Sequence, residues 1–192
     1  MQGINLDATR TALVLIDLQN SNMARTLAPY SSAKVLDNCQ HLVKAMKACG
    51  ALVIYVRVDV NKLLHLPVDI SLARDPNAGP APESVSQLTA AIDVQADDIL
   101  VTKFQWGAFY GTALEQHLRR HGIRSIILAG IATNFGVEST ARAAFDSGYE
   151  LIFAEDAMSS ISAELHEFAV GRLFPFMGRV RKTTEILYAL GV

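Results

Sequence analysis

Two charged residues and one absent side chain carry the chemistry open to this sequence. Asp17 stands in the apolar run Thr11 to Leu18, and Lys103 follows the run Ile99 to Thr102. The third place is Ser125 to Thr140, where Ile126, Ile127, Leu128 and Ala129 lead to a break at Gly130 and then to residues 131–136. A carboxylate and an ammonium group each favour the charged form of the other. With a thiol beside them, the carboxylate could act as base and the lysine could lower the thiol pKa. Without a thiol, the same pair could protonate or deprotonate a substrate directly. The position where a nucleophile would stand on such an elbow holds Gly136, which has no side chain.

The elements around these residues explain why they should meet. Apolar runs at Thr11–Leu18, Ala51–Val58, Ile99–Thr102, Ser125–Ala129 and Glu150–Ala154 read as strands buried on both faces. Between them fall helical patterns at about Ser32–Cys49, Thr112–His121, Phe135–Ser147 and Ser162–Phe174, with a short edge strand at Gly178–Lys182 and a last helix at Thr183–Leu190. Gly50 and Gly122 close two of the helices, and Thr112, Thr133 and Asn134 are expected N-caps. Strands alternating with helices imply an α/β fold with a parallel sheet and helices on both faces. Asp17, Lys103 and the 131–136 elbow then all lie at the carboxyl edge, where open α/β sheets bind ligands. The segment from Asp59 to about Glu83, with Pro67, Pro76, Gly79, Pro80 and Pro82, reads as a long surface excursion of the same domain.

Composition narrows the function classes. The 192 residues, 51% hydrophobic and 19% charged, describe a single domain, 1–192, with a substantial core. A net charge of −2 gives no broad pull towards nucleic acid or an anionic membrane. No apolar run approaches the roughly 20 residues of a membrane helix, and the Met1–Asn5 start lacks the features of a signal peptide. Cys39 and Cys49 suggest neither a bridge nor a metal site, so a cytoplasmic setting is expected. The histidines, 41, 65, 117, 121 and 166, are scattered, and no metal or cofactor is expected. No glycine-rich dinucleotide fingerprint follows the first strand. His166 reads as a helix-surface or capping residue, Asp156 as a turn former after a strand, and Glu138 as a partner of Arg142 or a group facing the site. Phe104, Trp106, Phe109 and Tyr110 suit either a pocket wall or an oligomer contact.

Three motifs, TALVLIDLQN at 11–20, KFQWGAFYGT at 103–112 and GIATNFGVESTAR at 130–142, together resemble the isochorismatase-like hydrolase superfamily over nearly the whole chain. The resemblance implies a three-layer sandwich with a six-stranded, mostly parallel sheet, and a homo-oligomer. Most members use an Asp-Lys-Cys triad, which maps the aspartate to Asp17 and the lysine to Lys103 and leaves Gly136 at the cysteine position. It also implies a non-proline cis peptide at Ile131–Ala132. A cysteine-dependent acyl-enzyme cannot form through Gly136. Isochorismatases proper also carry glycine there; they protonate a vinyl ether and release pyruvate without a nucleophile.

The resulting expectation is a hydrolase lacking the cysteine nucleophile and acting on a small carboxylated substrate. Asp17, Lys103 and Gly136 form its catalytic centre, and Ile131, Ala132, Phe104, Trp106 and Tyr110 its substrate-binding positions. The rival is a binding or regulatory member that keeps the pocket without turnover.

Overall fold

The computed structural model describes residue 4 and residues 6–71 and 78–191; Pro76 and most of the Met1–Asn5 stretch lie outside the described residues. Every residue of β1 (Thr11–Ile16) is buried. Successive strand side chains point to opposite faces. Ala12, Val14 and Ile16 therefore join one core with Ile54, Val56, Ile126 and Leu128, while Leu13 and Leu15 join another with Tyr55, Ile127, Ala129 and Ile152. The first core is covered by α3 (Leu114–Arg120) and α4 (Glu138–Asp146), through Leu114, Leu118, Ala141 and Ala144. The second is covered by α2 (Ser32–Ala48) and α6 (Thr183–Ala189), through Val35, Cys39, Leu42, Met46 and Ile186. Two apolar faces on one sheet thus give three layers.

The sheet contains β1, β2 (Leu52–Val58), β3 (Ile99–Lys103), β4 (Ser125–Ile131), β5 (Glu150–Ser159) and β6 (Gly178–Arg181), in the order β3-β2-β1-β4-β5-β6. All five pairings are parallel. The register sets Ile16 beside Val56 on one side and Gly130 on the other, and Val58 beside Lys103. The carboxyl ends of β1, β3 and β4 therefore share one edge. At Gly130 the two central strands come too close for a side chain: a Cβ would lie 2.1 Å from the Ile16 carbonyl oxygen, and φ is +114°. Glycine meets both demands.

Several boundaries differ from the sequence expectation. β1 stops at Ile16, because Asp17 turns to φ 50°. A short helix that the sequence pattern did not mark, α1 (Asn20–Met23), follows β1. β5 runs on to Ser159 through a register irregularity against β4, so Glu155 and Asp156 lie within a bulged strand and not after it. α5 (Ala163–Phe168) is capped by Ser162, whose side chain accepts from Leu165 N, and passes into a wider turn at Ala169–Leu173. Thr112 precedes the cap of α3, where Ala113 stands, and its hydroxyl accepts from Leu114 N at 3.1 Å.

Gln19, between β1 and α1, is fully buried. Its Oε1 accepts from Val58 N at 2.9 Å and its Nε2 donates to Val58 O at 3.2 Å and Ser21 Oγ at 3.1 Å. It latches the loop after β1 to the end of β2. Alanine there would strip both Val58 backbone groups of a buried partner, which costs about 1–3 kcal/mol. We expect Gln19→Ala to lower the unfolding free energy in urea by that amount with an unchanged m-value; an unaltered midpoint would refute the latch.

Candidate active site

Lys103 ends β3 with its side chain 1% exposed, and its Nζ lies 2.8 Å from Asp17 Oδ2. The same ammonium donates to the Trp106 carbonyl at 2.5 Å. A buried lysine is tolerated only when paired in this way. Asp17 is held by its backbone: its N–H donates to Val56 O at 2.9 Å, and its carbonyl accepts from Asn22 Nδ2 at 2.9 Å. The other carboxylate oxygen, Oδ1, is buried and has no hydrogen-bond partner among the described residues. Burial raises the Asp17 carboxyl to about 6, against the opposing charge and hydrogen bond of Lys103. Near neutrality such a group can supply a proton.

Gly136 stands over this pair. A Cβ built on it would meet Lys103 Nζ at 3.1 Å, Asp17 Oδ2 at 3.2 Å and Ile16 Cγ2 at 2.9 Å. Position 136 is thus where a third side chain would reach both charged groups. Thr140 fixes the backbone here, donating to Gly136 O at 2.6 Å and accepting from Ala108 N at 3.1 Å. That pair of bonds joins the elbow to the loop following Lys103. Ile131 is buried, and the Ile131–Ala132 peptide is cis.

Five of the sequence-derived positions, Asp17, Lys103, Gly136, Ile131 and Ala132, belong to this one edge. Trp106 joins them through its carbonyl, and its ring packs edge-on against Phe135 with centroids 5.0 Å apart. Phe104 lies under Lys62 Nζ at 5.6 Å, and Tyr110 is 83% exposed. Among the described residues neither makes a hydrogen bond or ring contact with the Asp17–Lys103 pair.

The helix after the elbow starts differently from expectation. A wide turn spans Thr133–Val137 before α4, and Ala132 is its N-cap. Thr133 and Asn134 do not cap it, because both side chains have tertiary partners. Thr133 Oγ1 lies 2.8 Å from His166 Nδ1, and Asn134 Oδ1 accepts from Ser160 Oγ. His166 is consequently buried, not on the helix surface. His166 and Ala169, three residues apart and so on one helix face, are both buried. Asp156 Oδ1 accepts from both Thr183 N and Thr183 Oγ1 at 2.7 Å, so it holds the start of α6. Glu138 pairs with Arg142 at 3.1 Å.

Among the described residues no group of three or more His, Cys, Asp or Glu is placed to hold a metal ion, and no helix is long and apolar enough to cross a membrane. Two surface clefts lie away from the pair, one of them lined by Gly50, Leu52 and Ile99 at the opposite edge of the sheet.

The chain and its fold have known relatives. Residues 11–185 match the isochorismatase domain model. The chain is 44% identical over 191 residues to the isochorismatase family protein YecD of Escherichia coli O157:H7, covering 97% of this chain and 100% of that one. It is 30% identical over 213 residues to the ureidoacrylate amidohydrolase RutB of Acinetobacter baylyi, covering 97% of this chain and 86% of the relative. The solved structure of an isochorismatase family protein from Burkholderia thailandensis superposes with a TM-score of 0.90 at 38% identity, covering all of both chains.

Proposed function

Because the chain belongs to the isochorismatase family, we propose that it is a hydrolase working without a side-chain nucleophile at position 136, on a small carboxylated substrate of the isochorismate type. One observation carries the reading. Asp17 is a buried carboxyl with a raised pKa, one oxygen is committed to Lys103, and the other has no partner among the described residues, beside a residue with no side chain. That combination suits proton donation into a substrate lying over Gly136 and offers nothing to form an acyl-enzyme.

The reaction follows from the acid. Asp17 transfers its proton to the terminal carbon of a vinyl ether, and the electron pair of the double bond forms the new C–H bond. The resulting oxocarbenium is stabilised by its ether oxygen. Water adds to it, the proton released from that water returns to the Asp17 carboxylate, and the hemiketal collapses to pyruvate and an alcohol. Lys103 serves mainly to hold and tune Asp17, since its ammonium is bonded to that carboxylate and to the Trp106 carbonyl. Trp106, with Phe135 packed on it, offers an aromatic wall to a flat ring, with Ile131, Ala132, Phe104 and Tyr110 as the further lining. Assembly of copies in the cytoplasm belongs to the same reading, supported by the exposed Phe168, Phe176 and Tyr188.

The test is pyruvate release from isochorismate by the purified protein, followed through lactate dehydrogenase. We expect one pyruvate for each substrate consumed. An absence of pyruvate, with isochorismate raising the melting temperature, would replace this reading with that of a binding protein.

A further inference from the structure

A polar cluster outside the acid pair reaches the elbow through the buried His166 and Thr133. Four elements contribute to it: Tyr30 before α2, Glu155 in β5, His166 in α5 and Lys182 ahead of α6. Tyr30 Oη donates to Glu155 Oε1 at 2.7 Å and accepts from Lys182 Nζ at 2.7 Å, and Lys182 also pairs with Glu155 Oε2. His166 Nε2 faces Glu155 Oε1 at 3.4 Å, and its Nδ1 faces Thr133 Oγ1 at 2.8 Å. The Tyr30 ring meets the imidazole edge-on at 5.7 Å. His166 is 1% exposed, and Thr133 is fully buried.

Hydrogen-bonding rules fix the proton positions. Burial pushes the Glu155 carboxyl up, but the hydrogen bonds from His166, Lys182 and Tyr30 outweigh it and hold the group at about 2. An ionised carboxylate only accepts, so Nε2 of His166 carries the hydrogen. In a ring that carries that one hydrogen Nδ1 is an acceptor, and the Thr133 hydroxyl donates to it. The direction of the Thr133 bond is thus set by a carboxylate one imidazole away. Three residues after Thr133 comes Gly136, whose backbone faces the acid pair.

We infer that His166 is a positioning residue for the reaction: held by Glu155 with its hydrogen on Nε2, it anchors the Thr133 hydroxyl and so fixes the elbow that sets Gly136 over Asp17 and Lys103. This inference rests on the proposed hydrolytic reading for its kinetic consequence and on geometry alone for its structural one. Small displacements of a positioning element are costly: a shift of about 1 Å can lower turnover about 10²-fold.

The experiment compares His166→Asn, His166→Gln, His166→Leu and Thr133→Val in the full chain. An asparagine amide reaches about as far as Nδ1 and can still accept from Thr133. A glutamine amide reaches towards Glu155 and leaves Thr133 without its acceptor. We expect His166→Asn to keep kcat within about threefold, and the other three variants each to lose about tenfold or more in kcat with KM little changed. Thr133→Val combined with His166→Leu should lose no more than either alone. Two readouts need no substrate. Long-range proton–nitrogen correlation in histidine-labelled protein should show the hydrogen of His166 on Nε2. Carbon-13 titration of the Asp17 carboxyl should show a displaced midpoint in His166→Gln, His166→Leu and Thr133→Val but not in His166→Asn.

The inference is overturned if the hydrogen resides on Nδ1, if all His166 variants displace the Asp17 midpoint alike, or if none does. Loss of pyruvate release by the unmodified protein would count against the proposed reaction instead, and the two spectroscopic readouts would still decide the role of His166.

Discussion

Asp17→Asn should lower pyruvate release by about 10²- to 10⁴-fold, the range spanned by removal of a positioned general acid. The amide keeps the shape of the carboxyl and has no proton of suitable acidity to give. The expected pH dependence has a definite sign. Catalysis needs the protonated carboxyl, which burial brings to about 6 against the pull of Lys103. In the unmodified protein kcat/KM should therefore be level at low pH and fall about tenfold per unit above pH 6. Lys103→Met removes the charge that lowers the Asp17 value, so the falling limb should move to higher pH. Asp17→Asn also leaves the Lys103 ammonium buried without its counter-charge, a destabilising change. Activity must accordingly be normalised to the folded fraction, measured by circular dichroism at the assay temperature. Turnover unchanged by Asp17→Asn, or a rate that rises with pH across this range, would sink the acid role.

The parallel pairing of the sheet and the meeting of Asp17, Lys103 and Gly136 were legible in the sequence for one reason. In a parallel sheet every strand delivers its carboxyl end to the same edge, so residues that follow apolar runs converge without knowledge of the side-chain packing. What sequence reading missed depends on partners distant along the chain. His166 meets Thr133 from 33 residues away, and Lys182 meets Tyr30 from 152. Local pattern therefore made His166 a surface residue and Thr133 a cap. The cap rule failed at Thr133 and Asn134 because tertiary acceptors and donors took their side chains first. β5 was read too short because its bulge at Glu155 and Asp156 interrupts the apolar run with charge. Gln19 lies in the 11–20 motif, but its latching role was not legible, since a buried glutamine is recognised by the backbone groups that it satisfies.

Gly136→Cys should exchange one chemistry for another. The new Cβ would stand 2.9 Å from Ile16 Cγ2, so the buried Ile16 side chain must give way to admit it, and the folded fraction of the variant is measured first. Cβ would lie only 3.1 Å from Lys103 Nζ and 3.2 Å from Asp17 Oδ2, and the sulfur would extend into the space over the pair. A vinyl-ether substrate loses that space, and pyruvate release should drop about tenfold or more, as overfilling a fitted site does. The thiol gains a lysine beside it, which favours the thiolate. The protein carries its own references for the measurement. Cys39 is buried and its thiol is pushed up by burial, so it should stay silent, while Cys49 is exposed and open to the reagent. At pH 7 iodoacetamide should modify Cys49 in both proteins and add one further, about tenfold faster, alkylation in Gly136→Cys. Adding Lys103→Met should slow that second event to the Cys49 rate, because the cation that stabilises the thiolate is gone. A new thiol no faster than Cys49, or pyruvate release undiminished by the substitution, would show that position 136 does not face the acid pair in solution. The contrast turns on a single atom position. The same two charged residues would activate a thiol when a side chain occupies position 136, and would protonate a substrate when glycine leaves the space to it.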